Sequence, residues 1–184
     1  MAYNLKDVFY LDTSIVTGTS TGDGVQVLDV SAYVDPIAKG RTKATGLAIY
    51  KCQFDIMDEN SNDPVNAAST GQVRAGLSSF TGGLTSAAVG SASITDHYLT
   101  NDNDLMIAGF DYTCGGTAAG DPAPYQWLTP DKDVPYVVVR DSVMLAVSIP
   151  VAMSASARIS VRMSCAQVTL DQATLNQLLR TQTV

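Results

Sequence analysis

The sequence predicts an all-β chain folded as a two-sheet sandwich or barrel. The stretch 142–167, SVMLAVSIPVAMSASARISVRMSCAQ, carries two alternating runs. Val143, Leu145, Val147, Ile149 and Val151 alternate with Ser142, Ala146 and Ser148; Ile159, Val161, Met163 and Cys165 alternate with Arg158, Ser160, Arg162 and Ser164. Alternation at period two places one side of a strand in a core and the other toward water. Similar runs recur along the chain between clusters of Gly, Pro, Asn and Asp, the residues that turn a backbone. The two late runs read as an antiparallel hairpin with one apolar face, which the remaining strands must cover as a second layer.

A chain of 184 residues suits one domain, 1–184, and buries about 70 per cent of the surface its unfolded form exposes. Charged residues are 16% of it, below the usual quarter or so. Either the strands present a Ser/Thr-rich face to water, or much of the surface meets neighbouring subunits, whose interface cores are depleted in charge. The net charge of −7 argues against direct nucleic-acid binding, which concentrates Lys and Arg on one face. Cys52, Cys114 and Cys165 lie far apart with no CxxC pair, so neither a disulfide framework nor a zinc site is expected. Buried free thiols are the expected state, with a single bridge as the alternative. The segment MAYNLKDVFYLD has no basic and apolar regions of a signal peptide, and no run of 18 apolar residues predicts a membrane span.

Taken in order, 5–17 predicts a first strand, closed by the turn-rich 18–24. A second, 25–34, places Leu28, Val30, Ala32 and Val34 on one face and stops at Asp35-Pro36. Lys39, Arg41 and Lys43 read as an exposed turn rather than a phosphate or headgroup site. The run 45–58 puts Ala48, Tyr50, Cys52, Phe54 and Ile56 on one face against Lys51, Gln53 and Asp55. The acidic loop 58–64 begins like a calcium loop, but Asp63 stands where glycine is needed and Ser69 where the bidentate Glu should be. A solvated turn is the expectation, with a weak structural cation site as the alternative.

The Ser/Ala-rich runs 71–80 and 84–95 flank Gly82-Gly83 and predict weak edge strands joined as a hairpin. The run 105–113 is apolar on both faces, which predicts burial. The long region 114–135 predicts an irregular loop holding Tyr125 and Trp127, which serve as a ligand platform or an interface anchor, or else plug the end of the sandwich. At the tail, Thr169 and Gln172 fit a capping box. Leu175, Leu178 and Leu179 then fall at i, i+3 and i+4 of a short helix over about 170–180, which caps its own sheet or docks on a neighbour.

Catalytic vocabulary is sparse. His97 is the single histidine, with Asp96 and Asp104 as its nearby acids; no GxSxG, P-loop or dinucleotide fingerprint occurs. No catalytic residue, cofactor or metal ligand is therefore assigned, and an enzyme is not expected. Arg158 and Arg162 share the exposed phase of one strand with Arg140 near them, and are expected to pair with Asp29, Asp55 or a neighbouring subunit.

With SVMLAVSIPV and ARISVRMSC as a late strand pair and TGLAIYKCQFDI as an early strand, the chain resembles single jelly-roll coat proteins of icosahedral viruses. The resemblance spans the chain and lies in its architecture. The pattern itself gives eight to ten strands in a jelly-roll or Greek-key sandwich, and the resemblance implies two packed four-stranded sheets at its centre. It further implies self-assembly into a shell with other virion proteins, in a virion whose parts are made in a host cytoplasm. Many coat proteins that wrap genomes carry a basic N-terminal arm. MAYNLKDVFYLD is not one, which fits a shell around an internal membrane, or a minor or decorating subunit. A second function class is a carbohydrate- or receptor-binding sandwich using the 115–135 loop, with Tyr125 and Trp127 as its contacts, and a third is a β-sandwich enzyme whose turnover would depend on His97.

Overall fold

A computed structural model describes residues 8–35, 43–61, 63–65, 70–79, 84–92, 94, 99–100, 102–115 and 123–182. Its strands are β1 (Phe9–Val16), β2 (Gly22–Asp29), β3 (Lys43–Asp58), β4 (Thr70–Ser78), β5 (Ala87–Ala92), β6 (Met106–Gly115), β7 (Ala123–Leu128), β8 (Tyr136–Val138), β9 (Ser142–Val151) and β10 (Ala157–Asp171), followed by the helix α1 (Gln172–Thr181). One sheet runs β1-β10-β3-β8 and the other β5-β2-β9-β4-β6-β7, with every pairing antiparallel. The four-stranded sheet and the inner four of the second, β2-β9-β4-β6, interleave in sequence as two Greek keys. That is the strand order of a jelly roll. The second sheet has six strands rather than four because β5 and β7 extend its two edges.

Ile159, Val161, Met163 and Cys165 of β10 meet Val143, Leu145, Val147 and Ile149 of β9 in the core between the sheets. The two late runs are thus facing layers, not a hairpin. Residues 152–156 cross between sheets that lie about 10 Å apart. Met153 is buried in that crossing and plugs the end of the core. β9 also buries its other face, where Met144 and Ala146 join Val25, Met106 and Leu99 under a second apolar layer. A strand covered on both sides and a strand covered on one carry similar alternation here, so period alone could not assign them partners.

Other expectations shift for local reasons. A bulge at Ser164/Cys165 sets Ser164 opposite Lys51 and Cys165 opposite Ile49, three residues of β3 against two of β10. The inward set of β3 is therefore Leu47, Ile49, Cys52 and Ile56, with Phe54 partly buried against it, and the early phase through Ala48 and Tyr50 is broken. β2 starts at Gly22 and ends at Asp29; a 3-10 turn at Ser31–Tyr33 follows, and it spaces buried Val30 and Val34. β4 is central rather than an edge, since Val73, Ala75 and Leu77 are fully buried on its inner face. On its outer face the missing side chain of Gly76 admits Leu99 and Met106. β5 is an edge strand as expected, but it pairs with β2 across the sheet and not with β4. The Gly82-Gly83 turn lies outside the described residues.

The loops at the β9–β10 end are stitched together. Thr17 N–H donates to the Ala157 carbonyl (2.8 Å) and Ala157 N–H to Thr17 Oγ1 (3.0 Å). Ser154 N–H donates to the Thr70 carbonyl (2.9 Å), and Ser156 Oγ donates to Glu59 Oε2 (2.6 Å). Backbone groups that would otherwise lose water unpaired are satisfied across four strands.

Candidate functional site

Tyr125 and Trp127 sit on β7, a strand within the region expected to be irregular. Tyr125 stands opposite Asp111 of β6 and is 63% exposed. Trp127 is only partly exposed and packs with Met106, Leu99 and Met144 on the outer face of the six-stranded sheet. Its ring takes the space a Cβ would need at Gly109. The Arg74 guanidinium lies over that ring, 5.7 Å from its centroid. Arg74 is in turn held by Asp111 in a two-pronged pair, Nε to Oδ1 at 2.9 Å and Nη2 to Oδ2 at 3.0 Å. Trp127 is thereby a cover for the sheet, and Tyr125 is the side chain it leaves presented to solvent beside an Arg–Asp pair.

Leu175, Leu178 and Leu179 gather elsewhere. α1 continues directly from β10, and Asp171 rather than Thr169 is its cap, accepting from Thr174 N–H at 2.7 Å. That bond holds the Asp171 carboxyl below its usual range. Leu175 is buried against Ala44, Val139 and Leu170, with Leu178 and Leu179 partly buried at the same cluster. Gln182 completes the docking: its Nε2 donates to the Val137 carbonyl (2.7 Å) and its Oε1 accepts from Val139 N–H (3.2 Å). One carboxamide thus meets the outer edge of β8 as one residue of an added strand would. No pattern in the sequence announces that role for a lone glutamine.

The outer face of the four-stranded sheet exposes alternate residues of β1, β3 and β10. Arg158 and Arg162 point outward there, as their phase predicted. Arg162 stands between Asp12 and Gln53, and its guanidinium lies 4.4 Å from the Tyr10 ring centroid. Arg158 stands between Val16 and Met57. Asp29 ends β2 in the other sheet, opposite Ser142. Arg140 follows β8, whose Val138 is level with Leu47 and so with Gln167. That is nine residues along β10 from Arg158, about 30 Å at strand rise. The three arginines therefore form no common anion site. Tyr10 and Asp12, which sequence reasoning passed over, share this face; the alternation Tyr10, Asp12, Ser14 against Leu11, Thr13, Ile15 was their signal.

Beside this face, β8 pairs only with Leu47, Ala48 and Ile49, so beyond Ile49 the edge of β3 away from β10 has no named strand against it among the described residues. A groove of about 550 Å³ follows that edge, between Tyr50, Phe54 and Pro130. Gln126 Nε2 donates to the Cys52 carbonyl (2.9 Å) and Cys52 N–H to Thr129 Oγ1 (3.5 Å), so side chains occupy the strand edge at this point.

Cys52, Cys114 and Cys165 are buried free thiols. Desolvation raises both Cys52 and Cys165, the latter to about 12. In the acidic loop, Asp58 Oδ1 accepts from Asn60 N–H (2.9 Å) and Ser61 N–H (3.0 Å), which lowers its carboxyl. This is an Asx turn of the solvated kind. Among the described residues no three His, Cys, Asp or Glu side chains converge as metal ligands. His97 lies outside the described residues.

No protein-family model and no curated protein sequence matches the chain. Among solved structures, the chain is similar to Merkel cell polyomavirus VP1 in complex with disialyllactose, at TM-score 0.49 and 7% identity over 91% of this chain and 98% of that one. It is also similar to apo New Jersey polyomavirus VP1, at TM-score 0.41 and 6% identity over 90% and 100% of the two chains. A third is Trichodysplasia spinulosa-associated polyomavirus VP1 in complex with GM1 oligosaccharide, at TM-score 0.41 and 7% identity over 93% and 97%. The jelly-roll assignment itself rests on the strand order and register.

Proposed function

We propose that the protein is a structural subunit that assembles with copies of itself into the shell of a virion. The observation that carries this reading is a jelly roll whose interior is solid. Val143, Leu145, Val147, Ile159, Val161 and Met163 are fully buried between the sheets, so the sandwich is filled by its own side chains rather than by a ligand. Jelly rolls serve as capsid and lectin domains and as cupins. A filled interior moves function to the outside, where a low-charge surface presents Tyr10, Tyr125, Met57, Val134 and Val151. Exposed aromatic and aliphatic groups on such a surface suit contact with other subunits.

Light scattering of the purified chain over a range of concentration and salt tests this. A mass that rises to a defined oligomer or particle supports it, and a monomer mass throughout opposes it. A carbohydrate- or receptor-binding reading has one specific support, the exposed Tyr125 beside the Arg74–Asp111 pair. Glycan binding by a monomeric chain, abolished in Tyr125→Ala, would establish that reading instead.

A further inference from the structure

Register fixes the layout of the exposed face of the four-stranded sheet. Across β1 and β10 its rows set Tyr10 beside Ser164, Asp12 beside Arg162, Ser14 beside Ser160 and Val16 beside Arg158. The corresponding face of the other sheet is roofed by Ile94 and Leu99, whereas Tyr10, Asp12, Ser14, Arg158 and Arg162 are exposed. The edge strand carries the anion and its neighbour the cations. Arg162 rests on the Tyr10 ring, so a long side chain is already ordered before any partner arrives.

We infer that a second copy of this chain binds here, sheet face to sheet face, about a two-fold axis running along the strands between β1 and β10. The inference rests on the shell-subunit reading and names the surface that serves it. Such an axis exchanges the two columns. Asp12 of each copy then faces Arg162 of the other, the Tyr10 ring faces Ser164, Ser14 faces Ser160, and the Arg158 stem covers Val16. A two-fold contact requires a patch complementary to itself, and this one opposes unlike charges and sets large groups against small. The chain's net charge of −7 makes copies repel at long range, so a local match of opposite charges selects where they meet.

Sedimentation equilibrium of the full chain tests the face by charge reversal. Asp12→Arg alone sets Arg against Arg across the axis, and Arg162→Glu alone sets Asp against Glu. Each variant, with circular dichroism and thermal melting confirming its fold, is expected to weaken self-association about tenfold or more. An equimolar mixture of the two restores association as a heterodimer, because each copy then meets its complement. Ser14→Arg, on the same face but outside the charged row, is expected to give the same loss, and it replaces a reversal that does not fold. Variants that associate like the parent, or a mixture that stays dissociated, overturn this face and leave the shell reading standing. A parent chain that remains monomeric at every concentration overturns both.

Discussion

Asp171 ends the longest strand pairing and begins α1 with one exposed carboxylate. Its carboxyl is held low by the hydrogen bond from Thr174 N–H. A depressed carboxyl contributes stability that is present above its unfolded range, near 3.9, and is lost as pH falls through the folded value. The 222 nm signal of α1 is therefore expected to fall on acidification below about pH 4. Asp171→Asn, which keeps the cap without titrating, should hold that signal, and Asp171→Ala should lose it at all pH values. Gly109 makes the opposite demand, for the absence of a side chain. Ala at that position must displace the Trp127 ring, an overpacking cost of about 1–3 kcal/mol that urea denaturation would read. The phase of Cys52 and Cys165 showed their burial in advance, because inward alternation and thiol chemistry point the same way. The roles of Gly109 and Gln182 had no such signature, since each depends on a side chain or backbone distant in the chain.

Among the elements, the short strand β8 shows how an edge is finished. It pairs with β3 on one side and meets the Gln182 carboxamide on the other. Gln182→Ala leaves Val139 N–H buried without its acceptor, which costs about 1–3 kcal/mol. Amide exchange should accelerate at Val139 and along α1 while the β10 amides paired with β3 stay protected; unchanged exchange at Val139 would refute the bond. Strand existence was legible wherever alternation was clean: β1, β3, β6, β9 and β10 all fall on expected runs. Partnership was not legible. The bulge at Ser164/Cys165 resets the phase of β3, and the crossing at 152–156 sends two similar runs into opposite sheets. β7 escaped notice because Ala123-Pro124 and the surrounding Gly and Pro residues read as loop, whereas an edge strand tolerates proline.

At the scale of the molecule, the two sheets close on an interior of aliphatic side chains, with the loops at one end tied across four strands. A solid block of this kind holds its outer faces in fixed relation, and its register sets a self-complementary row of Asp12 and Arg162 on one of them. The sandwich and its C-terminal helix were readable from periodicity, although the helix is capped by Asp171 and not by the expected Thr169; the assembly face was not readable, since it requires knowing that β1 lies against β10. Negative-stain imaging of the purified chain, at the concentrations where its mass rises, tests the central claim most directly. Closed particles or rings of uniform diameter are the predicted result. A field of separate single-chain particles at every concentration and salt would contradict it.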